Sequence, residues 1–369
     1  MSALLEPLMR KQLTRKALAR EALPREPIAK VPGDLVASGP PESRGLTRDT
    51  VRLLVAAREA GTVEHATFRD LPRFLDPGDL LVVNTSATIP AAIPTLDGRL
   101  LHLSTRLPGG AWVVEVRRPL GDGSAAELGA RPGERLVLPG GGGAELLAGY
   151  PLDRPHPDGV RLWLAALRLP QPLLHYLGRH ARPIRYAYTV GAWPLRDYQS
   201  VFATEPGSVE MPSAGRGFTP ELLTALVAKG VGVTPLVLHT GVSSQDAGEP
   251  PYAEQYRVPP ETAARVNATR AAGGRVIAVG TTVTRALETV TGPDGRAAPG
   301  AGWTELMVTP ERGVRALDAL LTGWHPPEAS HLALLEAVAG QEILRASYAA
   351  ALAERYLWHE FGDLHLLLP

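Results

Sequence analysis

The chain has 369 residues, 44% of them hydrophobic, with 38 lysines and arginines matched by 38 aspartates and glutamates and no cysteine. This length and apolar content suit about two globular domains, and the missing cysteine excludes disulfides, iron–sulfur clusters, thiolate zinc sites and a cysteine nucleophile. Zero net charge excludes the general basic field of a non-specific nucleic-acid binder, so any RNA contact is a local one.

The most basic stretch comes first. Arg10, Lys11, Arg15, Lys16, Arg20, Arg25 and Lys30 outnumber Glu6, Glu21 and Glu26, a pattern that reads first as a solvated helix, a frayed extension or a misassigned start codon, and second as an RNA-binding arm. It lacks the apolar core of a secretory signal. The apolar runs at 53–57 and 348–353 fall far short of the ~20 residues that span a bilayer, so no membrane partner and a cytoplasmic location are expected. From about residue 96 to 167, short runs such as Ala111-Trp112-Val113-Val114-Glu115-Val116 and Arg135-Leu136-Val137-Leu138 lie between glycine turns and read as antiparallel strands. Residues 96–185 are expected to form an inserted β-barrel-like domain. It interrupts an α/β domain of residues 31–95 and 186–369, which follows an extension of residues 1–30.

After about Tyr198 the rhythm alternates between helix and strand. Thr219-Pro220-Glu221 starts a helix, with threonine as N-cap and proline at the first helical position, and Gly230 ends it. Residues 231–239 read as a strand, and a helix from about 260 to 272 is closed by Gly273-Gly274. Arg275-Val276-Ile277-Ala278-Val279 reads as a buried strand, followed by a helix from about 282 to 290. Leu306-Met307-Val308 reads as a further strand, and 332–338 and 343–356 carry helical periodicity. The expected fold class is α/β (α+β mixed), with a largely parallel or mixed sheet.

The sharpest local feature is Arg275 to Glu288: a buried strand, a glycine turn at Gly280, then Thr281, Thr282 and Thr284 opening a helix that carries Arg285. Free N–H groups and the positive dipole end at such a start suit a carboxylate or phosphate. An ordinary strand, turn and threonine-capped helix gives the same pattern. Tyr198-Gln199-Ser200 and the loop through Ser208, Pro212, Ala214, Gly215, Phe218 and Thr219 offer small residues for close backbone approach and an aromatic ring for a purine. A plain loop is the alternative reading.

His239 ends an apolar strand, where open α/β sheets bind ligands, and fits an acid/base role, a ribose contact or a structural histidine. His325, in Thr322-Gly323-Trp324-His325-Pro326, is a loop histidine of the same ambiguity. No His-Glu-x-x-His, phosphate loop or Gly-x-Ser-x-Gly elbow occurs, so no metal is expected and ATPase and α/β-hydrolase readings are disfavoured.

Ordered along the chain stand Arg48-Asp49 with Arg52-Leu53-Leu54-Val55, Phe68-x-Asp70-Leu71, Pro77-Gly78-Asp79-Leu80-Leu81-Val82-Val83-Asn84 and Ile89-Pro90-Ala91. They are followed by Tyr198-Gln199, Pro212-x-Ala214-Gly215, Phe218-Thr219, Leu238-His239, Gly280-Thr281-Thr282 and Gly340. Together they resemble the S-adenosylmethionine:tRNA ribosyltransferase-isomerases of queuosine biosynthesis over nearly the whole length. The resemblance implies an α/β domain with an inserted β-barrel and S-adenosylmethionine used as a ribosyl donor. The carbohydrate then moves to the aminomethyl group of a 7-deazaguanine in tRNA to give epoxyqueuosine, and adenine and methionine leave. Such chemistry needs a base near the carbon beside the sulfonium and groups that stabilise departing adenine. The resemblance points to His239, Glu254 and His325 for catalysis, and to Tyr198, Gln199, Ser208, Pro212, Ala214, Gly215, Phe218, Thr219, Gly280, Thr281, Thr282 and Arg285 for binding.

The chain departs from the family pattern at charged positions. Asn-Asp-Thr-Arg-Val-Ile-Pro-Ala-Arg of the family is Asn84-Thr85-Ser86-Ala87-Thr88-Ile89-Pro90-Ala91-Ala92 here, and Ala-Gly-Leu-His-Phe-Thr is Ala214-Gly215-Arg216-Gly217-Phe218-Thr219. The His-x-Met-His-x-Glu segment keeps only Glu254, and a lysine becomes Glu328. Lost cations are lost phosphate partners. Three readings follow in order: the family reaction on tRNA, an S-adenosylmethionine-consuming enzyme with a small-molecule acceptor or simple cleavage, and a non-catalytic binding protein.

Overall fold

Leu80-Leu81-Val82-Val83-Asn84 is apolar on both faces, which a strand can bury only at the middle of a sheet covered on both sides. In the computed structural model it lies there. The structure describes residues 31–121, 123–152, 159–186, 188–242, 251–326 and 331–369; the basic stretch of residues 1–30, Glu328 and the end of the segment after Gly241 lie outside them. The chain divides into two units, one holding Ile89–Gly191 and the other holding Ile28–Thr88 with Ala192–Pro369.

The strands, in chain order, are β1 (Arg52–Ala57), β2 (Thr62–Thr67), β3 (Leu80–Asn84), β4 (Ser86–Thr88), β5 (Ala92–Pro94), β6 (Leu100–Arg106), β7 (Trp112–Leu120), β8 (Gly123–Ala126) and β9 (Arg135–Leu138). They continue with β10 (Gly142–Tyr150), β11 (Leu162–Arg168), β12 (Glu205–Ser208), β13 (Gly232–Leu238), β14 (Glu254–Val258), β15 (Val276–Val279), β16 (Gly300–Thr304), β17 (Ala319–Gly323) and β18 (Leu364–Leu368).

The larger unit is built on a nine-stranded mixed sheet of order β16-β14-β13-β3-β15-β17-β18-β1-β2. Strand alternation sends Leu54, Leu80, Val82, Val276 and Ala278 to one face and Leu53, Leu81, Val83, Ile277 and Val279 to the other. Helices Pro260–Ala271, Thr281–Thr289, His331–Ala339 and Gln341–Ala353 bury residues such as Val266, Leu287, Leu335 and Tyr348 on the first face. Helix Pro220–Lys229 covers the second with Leu222 and Leu226. That helix begins as its sequence dictates: Thr219 accepts from the Leu222 N–H, Pro220 follows, and Gly230 at φ 95° ends it.

Strands β13, β3, β15 and β17 are neighbours and mutually parallel. Their carboxyl ends, Leu238, Asn84, Val279 and Gly323, therefore emerge along one edge. The Leu306-Met307-Val308 strand expected from the sequence is not formed: the edge strand is Gly300–Thr304, whose ladder with β14 ends at Glu254 and Thr304. Val308 is buried from irregular chain and Leu306 packs on the core partly buried, whereas Met307 is exposed, so only part of this apolar triplet is core contact, without strand pairing.

The other unit is an antiparallel seven-stranded sheet of order β5-β6-β7-β11-β10-β9, with β8 on β7. It curls into a half-barrel, and one backbone bond from Leu96 N to Val137 O, 2.9 Å, links its two edges.

Candidate active site

The edge where the four parallel strands end is organised by short polar side chains. Asn84, buried at the end of β3, uses its amide as a strand would use its backbone. Its Nδ2 donates to Leu238 O at 2.8 Å, and its Oδ1 accepts from Leu238 N and Ser86 N, both at 3.0 Å. That double bond to one residue pins the end of β3 to the end of β13. The chain then turns into β4, which pairs in parallel with β12 and sets Ser86 near Ser208.

Ser86 Oγ lies 2.6 Å from Ser208 Oγ and 2.7 Å from His239 Nδ1, and Thr240 N donates to Ser208 Oγ at 3.0 Å. Gly207 lies flat against the imidazole; a Cβ there would overlap Nδ1. Burial, foremost, lowers the pKa of His239 from its ordinary value, with Glu205 opposing and Arg257 adding to the shift. His239 is thus held as a half-buried neutral imidazole.

Two strands across, the turn after β15 places Gly280 at φ 100° and ψ 154° as the N-cap of helix Thr281–Thr289, without any side-chain cap. The first-turn N–H groups of this helix have no partner inside it. The loop from Ser208 to Thr219 crosses these ends. A Cβ on Gly280 would sit 3.4 Å from Ala214 Cβ, and one on Gly323 would sit 3.9 Å from Ser213 Oγ. Thr282 Oγ1 is 3.5 Å from Asn84 Nδ2, so both sequence features meet at Asn84.

Other residues singled out in the sequence have structural partners. Arg285 forms a very short ion pair with Glu254 and donates to Leu306 O at 3.1 Å and, more weakly, to Thr304 O and Tyr252 O. The other oxygen of Glu254 accepts Gly241 N at 2.9 Å, which ties the loop after His239 to β14. His325 bonds through Nε2 to Thr322 Oγ1 at 2.9 Å and stacks on His331 with ring centroids 4.5 Å apart. Burial, then the neighbouring histidines, hold it well below the ordinary imidazole pKa. Gln199 pairs its amide with the backbone of Thr88, and Tyr198 packs on Phe361. Thr219 is occupied as a helix cap, Pro212 leads into the short turn Ser213–Gly215, and Gly215 faces Phe202.

Phe218 differs from its sequence reading. It is fully buried, edge-on to Phe68 and Phe202 at centroid distances of 5.0 and 5.1 Å, and so presents no open face to a purine. At the two neighbouring positions that differ from the family pattern, Arg216 makes a 2.8 Å ion pair with Glu42. A Cβ on Gly217 would meet Phe68 at 2.7 Å. The histidine missing there has no room here.

Asn84 and Ser86 are the residues that sequence reasoning passed over, although a terminal asparagine on an otherwise apolar strand was a visible signal. Among the described residues, no group of three or more histidines or carboxylates could hold a metal, and no helix is long and apolar enough to cross a membrane.

Comparison with known proteins gives matches over most of the chain. The family described as queuosine biosynthesis protein matches residues 29–367. A Symbiobacterium thermophilum protein named S-adenosylmethionine:tRNA ribosyltransferase-isomerase is 38% identical over 350 residues, 92% of this chain and 97% of its own. One of the same name from Acidiphilium cryptum is 38% identical over 355 residues, 91% and 96% of the two chains. Among solved structures, S-adenosylmethionine tRNA ribosyltransferase from Thermotoga maritima is similar with a TM-score of 0.51 at 30% identity, covering 92% of this chain and 99% of that one.

Proposed function

The chain belongs to the queuosine biosynthesis protein family, and from that membership we infer that it is an S-adenosylmethionine:tRNA ribosyltransferase-isomerase. It transfers and isomerises the ribosyl part of S-adenosylmethionine onto 7-aminomethyl-7-deazaguanine in tRNA, giving epoxyqueuosine and releasing adenine and methionine. The observation that carries this is relatedness across nine-tenths of both chains. S-adenosylmethionine enters as substrate, and the cytoplasm, where tRNA is modified, is the proposed location.

The carboxyl edge of β13, β3, β15 and β17 is our proposed S-adenosylmethionine site. The uncapped helix start after Gly280 has the donors and dipole for the amino-acid carboxylate, with Thr281 and Thr282 beside it. His239, just after the end of β13 two strands away, is the group proposed to meet the nucleoside. Glu254 and Arg285 are proposed to act as a positioning pair that fixes the loop after His239. His325 is proposed to hold the end of β17 in the same manner.

Incubation with S-adenosylmethionine, with and without tRNA carrying the aminomethyl deazaguanine, tests the reading by release of adenine and methionine. Release that requires the tRNA is expected. Equal release without RNA, or with a small amine in its place, would overturn the acceptor assignment.

A further inference from the structure

We propose that His239 works as a neutral imidazole presenting its Nε2–H to an acceptor nitrogen or oxygen of the substrate nucleoside, held in that tautomer by a one-way hydrogen-bond chain through Ser208 and Ser86. The proposal rests on the reading of this edge as the S-adenosylmethionine site.

The direction of the chain follows from counting protons. Ser208 is fully buried, and among the described residues its Oγ touches only Thr240 N and Ser86 Oγ. A backbone N–H can only donate, so Ser208 accepts from Thr240 and has Ser86 Oγ as the one acceptor for its own proton. Ser86, also buried, accepts that bond and has His239 Nδ1 as the remaining acceptor for its proton. Nδ1 is therefore an acceptor, and the proton of the neutral ring sits on Nε2.

The opposite polarity, with Nδ1–H donating to Ser86, would leave one serine proton, that of Ser208 or that of Ser86, buried without an acceptor, a full unmade hydrogen bond. Protonating the ring meets the same obstacle, in accord with the burial that already disfavours its charged form. Nε2 has no partner among the described residues, and the ring occupies the space that a Cβ on residue 207 would take. Ser86 and Ser208 are thus positioning residues. The family threonine at position 86 supplies the same hydroxyl.

The test is long-range proton–nitrogen NMR on the full chain labelled in histidine, with the resonance assigned by its loss in His239→Ala. The wild-type ring should show a pyridine-type Nδ1 and a pyrrole-type Nε2, and S-adenosylmethionine should move the Nε2–H signal. Ser86→Thr should keep this pattern. Ser86→Ala should give a mixture of tautomers and a fall in kcat of about tenfold, the equivalent of one ordinary hydrogen bond, with KM changed less. A pyrrole-type Nδ1 in the wild-type protein or in Ser86→Thr would overturn the proposal, and neither measurement depends on whether Ser86→Ala folds. Binding by calorimetry with an unmoved Nε2–H also overturns it, whereas absence of binding defeats the site reading beneath it.

Discussion

The same four strands end in opposite ways. At their amino ends the polar groups are spent on one another. Asp79 accepts from the Arg275 guanidinium and from the backbone N–H groups of Arg275 and Asp76, Arg275 also reaches Asp76, and Asp318 accepts from Val276 N. Gly274 is packed so tightly on Gly78 O that a Cβ would overlap it. At their carboxyl ends Asn84, Ser86 and Ser208 are equally bonded, yet among the described residues the network leaves two places without partners: His239 Nε2 and the start of helix Thr281–Thr289, which has no side-chain cap. One edge is closed in the sense that its charged groups pair with one another, and the other is fixed by hydrogen bonds but unfinished, which is what a preorganised site requires.

The largest expected effect is at the open edge. His239→Ala should lower tRNA-dependent adenine release by about 10²–10³-fold, the usual cost of one preorganised donor, with a Tm change of no more than about 4 °C. A mutant that keeps wild-type turnover, or that simply unfolds, would erase the distinction between the edges. Next comes the closed edge. Asp79→Asn leaves Arg275 without its main partner, and a stability loss of about 2 kcal/mol is expected. That lies below the 3–5 typical of a fully buried pair, because the Arg275 side chain retains 24% exposure. Chemical denaturation measures it, and turnover per folded molecule should be unchanged.

The closed edge also carries a pH signature. Burial of Asp79 opposes its ionisation, but the bonds from Arg275 and from the backbone of Asp76 and Arg275 outweigh it and hold the carboxyl below its ordinary range. A depressed folded pKa contributes stability above the unfolded value, about 3.9, and loses it as pH falls through the folded one. The wild-type protein should therefore weaken below about pH 4, and Asp79→Asn should show less of that acid loss. Identical acid limbs would mean that Asp79 is not a principal charge of this edge.

How far each edge was legible in the sequence follows from the range of its contacts. Thr219, Pro220 and Gly230 act within one helix, and 275–289 within one strand–turn–helix, so spacing alone located them. Ser86, Ser208 and His239 meet from segments 122 and 153 residues apart, and short hydroxyl residues leave no periodic trace. Phe218 reads as a ligand ring because the loop before it is rich in small residues, Gly217 among them; Phe68 and Phe202, which bury it, lie far off in sequence or across a loop. The same holds for Arg285 on its helix, since its partner Glu254 precedes it by 31 residues, on β14. Apolar character located the core, but Leu306 to Val308 gave no hint that the backbone of Leu306 would bond to side chains, Arg285 and Thr304, in place of a strand ladder.

The finest separation of the edges uses two glycines flanking β15. Gly273, before the strand, has φ 80° with open space around a would-be Cβ, and Gly280, after it, has φ 100° with Ala214 at an ordinary 3.4 Å. Neither substitution to alanine meets a neighbour at clashing distance, so the cost is backbone strain, about 1–2 kcal/mol at residue 273 and about 3 at residue 280, whose φ 100° and ψ 154° fall in a region that essentially only glycine adopts. Their effects on ligand binding should diverge. Relaxing strain at residue 280 turns the first N–H groups of helix Thr281–Thr289, and S-adenosylmethionine should bind about tenfold more weakly, one hydrogen bond's worth. Relaxing it at residue 273 moves only the closed end, and the Kd should stay as it is. Calorimetry on the two variants at matched stability reads the difference directly; equal affinities would remove the helix start from the site and leave His239 as the sole open donor.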